Sequence, residues 1–333
     1  MEGENEWGQR SSLRTLNIQL KQQRIGPPTQ SVGLSTIVPY TLPSPNQYGG
    51  ASCLYMSSTG IMEILLNQKK GDDSPQSEGA TDLSERFLMN QAAGYRLGNW
   101  RTDTILVFDR DGAAALNRDY RYTMGWYKKV NGRTLAAESD EPNATYGTSY
   151  NWIGELSGEV MRDRMALPRV NRTILHSDTE GNQWNVAEFD NRDIEKIIEA
   201  LGEGHPVQLV YNHFGYWHAV IVLAYAEEDF AETDEESCPF IQRYMTEMAD
   251  EPVQQRSIAK LRRAISEDGG CQKEGVFYVR DSIYQGSEDV EGIYDFDLSQ
   301  TGDEAPYAKK VMKRSANWVK YLGNHAVEVS LRD

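Results

Sequence analysis

The chain has 333 residues, and its 50 acidic side chains against 34 basic ones give a formal net charge of −16 at pH 7. That length can bury a substantial core, and an apolar share of 39% is typical of a globular protein rather than a disordered one. The acidic balance argues against nucleic acid and anionic membrane surfaces as partners, and no apolar run is long enough to span a bilayer.

The opening stretch, "MEGENEWGQRSSLR", has no apolar core segment of the kind that a signal peptide carries. We therefore expect either a secreted or periplasmic protein whose leader is absent from the chain, or a cytoplasmic protein. The cysteines are odd in number: Cys53, Cys238 and Cys271. In an oxidising compartment Cys238 and Cys271 would bridge the acidic stretch between them and leave Cys53 free. Two ordinary thiols are the equal alternative.

The first half of the chain predicts mainly helices. Residues 1–30 are polar and end in "GPPTQ", which indicates an extension, and "STIVPYTLPSP" predicts an extended lead-in. Apolar residues at helical spacing from Cys53 to Asn67 predict a central, buried helix. "TDLSERFLMNQA" predicts a second helix with Thr81 or Asp82 as its N-cap. Residues 94–155 have weak periodicity and predict loops and short elements.

The second half predicts mainly strands. "NRDIEKIIEALGEGH" predicts an amphipathic helix closed by glycine. "PVQLVY" and "WHAVIVLAY" surround a glycine-bearing turn and predict a β-hairpin, and "GVFYVRDS" predicts another strand beyond an acidic insertion near residues 226–274. "WVKYLGNHAVEVSL" predicts a last β-rich segment. Helices before strands indicate an α+β protein with a mainly helical lobe (residues 31–185) and a β-rich lobe (residues 186–333).

Cys53 lies where a glycine-rich loop, "NQYGGAS", turns into the first predicted helix. Unpaired N–H groups at a helix N-terminus favour the thiolate, which is the nucleophilic form of cysteine. The Cys53 amide and the side-chain amide of Gln47, six positions earlier, are candidate donors to an oxyanion. The sequence therefore favours a nucleophile over a buried filler or half of a disulfide.

A nucleophilic cysteine needs a base, which is most often histidine. The sequence "HAV" occurs twice, at His218 and at His325. We favour His218, because its continuously apolar strand is expected to be buried and to hold a rigid group. His325 alternates with Glu328 and Ser330, which predicts a half-exposed strand. Asp281 follows the strand "VFYVR" and is the candidate acceptor that would orient the imidazole.

Five motifs in order resemble the papain family of cysteine proteases. They are "NQYGGASC", "DLSER", "IEKIIEALGEGHPVQLV", "WHAVIVLAY" and "VFYVRDS". The chain departs from the family pattern at four positions: Gly50 stands where the family has a first cysteine, Leu54 where an aromatic residue follows the nucleophile, Asp281 where the family has asparagine, and Ile283 where a tryptophan shields the histidine. The order of the motifs places His218, rather than His325, ahead of the acceptor.

The resemblance implies a two-lobed fold in which a long central helix packs against an antiparallel β-barrel-like lobe. It implies a thiol peptidase with Cys53 as nucleophile, His218 as base, Asp281 as its orienting group and Gln47 as oxyanion donor. It implies a peptide or protein substrate and neither a cofactor nor a metal ion, and it leaves the oligomeric state open. An amidase, deamidase or transglutaminase-like acyltransferase would use the same three groups. A catalytically inactive binding protein on the same fold is the other alternative.

Overall fold

The structure is a computed structural model that describes residues 31–42, 44–45, 53–71, 80–94, 103–119, 127–130, 133–136, 162–177, 189–213, 216–227, 245–250, 258–259, 262–263, 275–282, 293–295, 307–308 and 310–332. The predicted N-terminal extension, Gln47, Ile283, Cys238 and Cys271 lie outside these residues, as does most of the predicted acidic insertion. No helix within the described ranges is long and apolar enough to cross a membrane.

Helix α1 (Cys53–Lys70) is the central element, as the sequence predicted. Every residue from Met56 to Asn67 is buried. Burial on all faces is expected when a helix is enclosed by other elements rather than lying on a surface. A short 3₁₀ turn (Val38–Tyr40), helices that follow in the chain and the hairpin strands all contact α1.

Helix α2 (Glu85–Gly94) begins three residues after the sequence prediction. Its N-cap is Ser84, whose hydroxyl accepts a hydrogen bond from the N–H of Phe87 at 3.0 Å. The prediction of Thr81 or Asp82 as N-cap was therefore wrong. Two side chains of α1 accept hydrogen bonds at 2.8 Å from the backbone of this preceding segment, which holds it outside the helix.

The segment that was expected to hold loops contains a further helix, α3 (Asp103–Asp111). Its side chains Ile105, Val107 and Phe108 are buried in the core, so packing stabilises a helix whose two turns give little periodicity to detect. Short strands follow it and pair two by two: β3 (Ala113–Ala114) with the distant β6 (Met165–Ala166), and β4 (Tyr127–Val130) with the adjacent β5 (Arg133–Ala136).

The remaining described strands are β1 Ser31–Val32, β2 Ser44–Pro45, β7 Val170–Ser177, β8 Val207–His213, β9 Tyr216–Ala226, β10 Val276–Arg280, β11 Ile293–Asp295, β12 Tyr307–Ala308, β13 Lys310–Ser315 and β14 Gly323–Leu331. Eight of these described strands form one antiparallel sheet. The strand order is β11, β13, β10, β9, β8, β14, β7, and β1 pairs with β9 beyond the end of β8. A separate pair joins β2 to β12.

The predicted hairpin is confirmed as strands β8 and β9. They pair in register from Val207 opposite Val222 to His213 opposite Tyr216, with Tyr211 opposite His218. Strand β10 pairs with the other edge of β9, which places the strand "VFYVR" beside the strand "WHAVIVLAYA". His218 and Asp281 are 63 residues apart in sequence, but the strands β9 and β10 beside them are neighbours in the sheet.

Helix α4 (Asn191–Gly202) confirms the predicted amphipathic helix before the hairpin. Asp190 is its N-cap and forms a capping box with Asp193, which satisfies backbone N–H groups at both positions. Gly204 adopts a φ of 82° just beyond the helix, a left-handed conformation that favours glycine and allows the chain to turn into β8.

The tail is only partly β-structure. Helix α5 (Ala316–Leu322) precedes β14, so the prediction of a continuous β-rich segment was wrong for its first residues. His325 itself is buried, with an exposed fraction of 2%, so the expectation of a half-exposed strand was wrong at this residue, whereas Glu328 and Ser330 further along the strand are partly exposed as expected. Strand β14 lies between β8 and β7, and a strand with a neighbour on each edge is buried more readily than an edge strand.

The described residues form a mixed α+β structure of helices and antiparallel sheet, in agreement with the predicted class. Among the described strands the sheet follows an open path from β11 to β7 rather than a closed barrel. The division into a helical and a β-rich lobe at residue 185, and the barrel-like form of the second lobe, remain predictions.

Candidate active site

Cys53 is the first residue of α1, and its thiol is partly buried. It packs against a small apolar cluster formed by Leu54, Val210 and Ala219. Val210 and Ala219 face each other across the β8–β9 hairpin, so the N-terminus of α1 lies against this hairpin. The first N–H groups of a helix have no intrahelical partner, and they favour a negative charge at this position.

His218 and Asp281 form a buried pair. The Nε2 atom of His218 lies 2.6 Å from Oδ1 of Asp281, and the exposed fractions of the two side chains are 0% and 2%. His218 lies on β9, and Asp281 follows the last residue of β10, the adjacent strand. Two neighbouring strands therefore fix both partners of the hydrogen bond.

The pKa of His218 depends on both Asp281 and Cys53. Burial lowers the pKa of His218, but the charge and hydrogen bond of Asp281, with a hydrogen bond and charge from Cys53, raise this pKa to about 10. Because Asp281 engages Nε2, the other ring nitrogen, Nδ1, is the one left to exchange a proton with Cys53. The raised pKa keeps a proton on the imidazole of His218 at neutral pH, next to the sulfur of Cys53.

The structure brings three of the four predicted site residues together: Cys53, His218 and Asp281. The fourth, Gln47, lies outside the described residues, so its role as an oxyanion donor stays a prediction. The candidate donor within the described chain is the backbone N–H of Cys53, at the N-terminus of α1.

The other described histidines have different surroundings. The Nδ1 atom of His176 lies 2.9 Å from Oδ2 of Asp193, and its ring stacks on Phe189. The Nδ1 atom of His205 lies 2.7 Å from Oε1 of Glu328. His325, the alternative base, is buried on β14 beside Val210 of β8.

One group of possible metal ligands occurs among the described residues. Ligand atoms of Glu203, His205 and Glu328 all lie within 4.8 Å of one another. The hydrogen bond between His205 and Glu328 accounts for their proximity, and it joins the end of α4 to β14. The reaction that the Cys53 site can perform requires no metal ion.

Sequence reasoning missed a buried ionic cluster next to Asp281. The side chain of Arg280 lies against Gly60 of α1, and its Nη2 is 3.7 Å from Oε2 of Glu63. Glu85, at the start of α2, is fully buried and interacts electrostatically with Arg280. Burial, together with neighbouring carboxylates, raises the pKa of Glu63 well above its ordinary value and that of Glu85 to about 8. The arginine therefore holds β10 to two helices.

Sequence reasoning also missed Tyr211, whose hydroxyl donates a hydrogen bond to Oδ2 of Asp281 at 3.4 Å. The only sequence signal was its position in "PVQLVY", directly across the hairpin from His218 once the register is known.

No family model matches the chain, and no curated protein matches it. Three solved structures are similar to it: procathepsin L 3 of the Tenebrio molitor larval midgut, the bromelain protease from Ananas comosus in complex with the E64 inhibitor, and recombinant stem bromelain precursor. Their identities are 10%, 11% and 10%, and their TM-scores are 0.43, 0.40 and 0.42. The matches cover 92%, 91% and 91% of this chain and 72%, 99% and 71% of the others. Because these TM-scores are low, the proposed function rests on the geometry of the site residues and not on this similarity.

Proposed function

We propose that the chain is a papain-like thiol hydrolase, and most directly a peptidase, with Cys53 as nucleophile, His218 as general acid and base, and Asp281 as the group that orients His218. The observation that carries the proposal is the buried hydrogen bond of 2.6 Å between His218 and Asp281, next to a cysteine at a helix N-terminus.

The first half of the reaction forms an acyl-enzyme. His218 holds the proton of Cys53, and the thiolate attacks the carbonyl carbon of the scissile peptide bond. The Cys53 N–H, with Gln47 as the proposed second donor, stabilises the negative charge on the carbonyl oxygen. The imidazolium then donates its proton to the leaving amine, and the C–N bond breaks to leave a thioester.

The second half releases the product. Water attacks the thioester carbonyl while His218 accepts its proton, and the C–S bond breaks to give a carboxylic acid and the regenerated thiolate–imidazolium pair. The side chains of His218 and Asp281 are buried, whereas Cys53 is partly exposed. In this proposal the substrate therefore reaches the sulfur, and the solvent does not reach the orienting hydrogen bond.

The experiment is labelling of Cys53 by an active-site-directed epoxide, combined with a turnover assay on a random peptide pool. We expect one label per chain at Cys53 and its loss in Cys53→Ala. We expect Cys53→Ala to melt like the wild type and to hydrolyse no peptide, because the thiol contributes chemistry rather than packing. Peptide hydrolysis by correctly folded Cys53→Ala would contradict the proposal.

A second candidate keeps the thioester and changes the substrate or acceptor. The third position of the site is an aspartate, Asp281, and a cysteine–histidine–aspartate set suits an amidase, deamidase or acyltransferase equally well. Comparing short peptides with glutamine side chains and free amine acceptors separates these activities. A folded protein whose Cys53 is not labelled by the epoxide, and which turns over neither class of substrate, would indicate a binding protein on an inactive site.

A further inference from the structure

Tyr211 occupies a position from which it touches both members of the buried pair. It lies on β8 directly opposite His218 on β9, with the two rings edge to face at a centroid distance of 5.5 Å and an interplanar angle of 78°. Its hydroxyl lies 3.4 Å from Oδ2 of Asp281, while His218 engages Oδ1 of the same carboxylate at 2.6 Å. One hairpin therefore supplies a donor to each oxygen of Asp281.

The ring of Tyr211 is itself held in place from behind. Trp318 of α5 packs on it at a centroid distance of 4.3 Å, and the guanidinium carbon of Arg314 lies 5.4 Å from the centroid of Trp318. Tyr211, Trp318 and Arg314 are all buried. A phenol ring enclosed in this way has little freedom to change rotamer, so its hydroxyl stays directed at the carboxylate.

We infer that Tyr211 is a positioning residue for Asp281, and that the packing of Tyr211 against Trp318 keeps water away from the hydrogen bond between His218 and Asp281. The inference rests on the proposed function and deepens it. The papain family, which the sequence resembles, has a shielding tryptophan at the position of Ile283. Here the aromatic cover comes instead from β8 and from α5, more than 30 residues beyond Asp281 in the chain (318 − 281 = 37).

The physical reason is that one hydrogen bond does not fix a carboxylate. A carboxylate bound only through Oδ1 can turn about its last side-chain bond, and the imidazole turns with it. A donor on Oδ2 fixes the plane of the group, even though an O···O distance of 3.4 Å is long for such a bond. An imidazole held in one orientation keeps Nδ1 directed towards Cys53, which is the geometry that proton transfer requires.

The test compares Tyr211→Phe with Tyr225→Phe. The first variant removes only the hydroxyl at Asp281 and keeps the ring between His218 and Trp318. The control removes a hydroxyl from a buried tyrosine on the strand that carries His218, where the ring packs on Phe277. We expect Tyr211→Phe to lower kcat about tenfold with KM unchanged, because it removes a hydrogen bond to a charged group that acts on the chemical step. We expect Tyr225→Phe to retain both values.

A second readout does not depend on turnover. The proton between Nε2 of His218 and Asp281 can be followed by NMR as a downfield-shifted imidazole N–H resonance. We expect this resonance to move in Tyr211→Phe, and its exchange with water to accelerate in Trp318→Phe, while Tyr225→Phe leaves both unchanged. A merely structural role for Tyr211 would lower the melting temperature without a selective effect on kcat or on this proton.

The outcomes separate this inference from the proposed function. If the wild type hydrolyses nothing but the resonance responds as described, the positioning role stands and the proposed function fails. If Tyr211→Phe and Trp318→Phe both retain the wild-type resonance and exchange rate, the inference is overturned, whatever the activity.

Discussion

His218 is the residue on which the chemistry of the candidate site converges. Its Nε2 contacts Asp281, its pKa responds to Cys53, and its ring faces Tyr211. Replacing it with alanine removes the proposed proton carrier. We expect His218→Ala to lower the hydrolysis rate by about 10²- to 10⁴-fold, the usual contribution of general acid–base catalysis. Rates are measured on the same peptide pool that defines the substrate.

The matched control for His218→Ala is His205→Ala, since His205 also pairs with a carboxylate but lies in the turn between α4 and β8. This control is expected to retain the wild-type rate. His325 tests the alternative base: because it is buried, His325→Ala is expected to lower the melting temperature, and its rate is compared at a temperature at which the variant is folded. A dead His325→Ala variant that is still folded would overturn the assignment of His218.

Asp281 sets the protonation state of His218. Its charge and hydrogen bond outweigh burial in raising the pKa of His218 to about 10, so Asp281→Asn leaves burial as the dominant influence and the pKa falls. A lower pKa means that the imidazole of His218 loses its proton at a lower pH. We expect the imidazole resonances of His218 in NMR to titrate at a lower pH in Asp281→Asn than in the wild type.

Asp193→Asn is the control for this measurement, because Asp193 forms the corresponding pair with His176 at a distance of 2.9 Å. It should leave the titration of His218 unchanged. An identical titration of His218 in the wild type and in Asp281→Asn would show that the carboxylate charge does not set the pKa of His218.

At the scale of elements, helix α1 contacts strands β9 and β10 through a glycine. A Cβ atom at Gly60 would collide with the guanidinium of Arg280 and would lie 2.8 Å from Cδ1 of Ile221. Alanine is the better helix former by about 1 kcal/mol. Overpacking of a closed core costs about 1–3 kcal/mol, and displacing a buried arginine adds to it. We therefore expect Gly60→Ala to lower the free energy of unfolding in urea titrations.

Gly202→Ala is a control of opposite sign. Gly202 is the last residue of α4, and an added Cβ would meet only Val32 at 3.6 Å, an ordinary van der Waals contact. Here helix propensity decides, so the variant should be as stable as the wild type or more stable by up to about 1 kcal/mol. Equal losses in both variants would mean that Arg280 does not occupy the groove at Gly60.

The buried cluster between α1, α2 and β10 makes stability depend on pH. Burial raises the pKa of Glu85 to about 8, with the charge of Asp82 adding to it, whereas an unfolded glutamate titrates near 4.5. The folded state therefore binds more protons than the unfolded state between these two values. Stability is fully present below about pH 4.5 and is lost as the pH rises through 8.

We expect Glu85→Gln to flatten this dependence, since the amide does not titrate. One proton corresponds to a slope of up to about 1.4 kcal/mol per pH unit. The free energy of unfolding is measured by urea titration at several pH values between 5 and 8, with the exposed Glu195→Gln as control. A slope in Glu85→Gln equal to that of the wild type would contradict the raised pKa.

At the scale of the whole molecule, the candidate site joins segments that are far apart in the chain. Cys53 and Asp281 are 228 residues apart (281 − 53 = 228), and both interact with His218 because β9 pairs with β10 on one edge and contacts α1. The predicted acidic insertion separates β9 from β10 in sequence. Pairing of these strands therefore closes a long loop, which costs conformational entropy.

A disulfide within that loop would reduce this cost. Cys238 and Cys271 lie outside the described residues, and they enclose a loop of 33 residues (271 − 238 = 33). In protein from an oxidising compartment we expect a bridge between them, which would contribute about 3–4 kcal/mol by loop entropy. Mass spectrometry of unreduced peptides is the measurement. Two free thiols in such protein would exclude the bridge.

The sequence by itself determined those elements whose signal is local. The apolar-rich segment after Cys53 predicted α1, the glycine-bearing turn between two apolar runs predicted the β8–β9 hairpin, and the periodic segment before it predicted α4. A helix buried on all faces and a strand buried on both are rich in apolar residues, and such segments are visible without an alignment. Cys53, His218 and Asp281 were predicted from their places at the ends of elements and from the resemblance of five motifs to the papain family.

Tertiary structure decided what depends on contacts between distant segments. The N-cap moved to Ser84 because side chains of α1 hold the preceding backbone, and α3 forms because its apolar face meets the core. The pairing of His218 with Asp281, the path of Arg280 past Gly60 and the packing of Tyr211 against Trp318 all depend on strand register and helix packing. A sequence records the residues of such contacts but not their distances, because register and packing are properties of the folded chain.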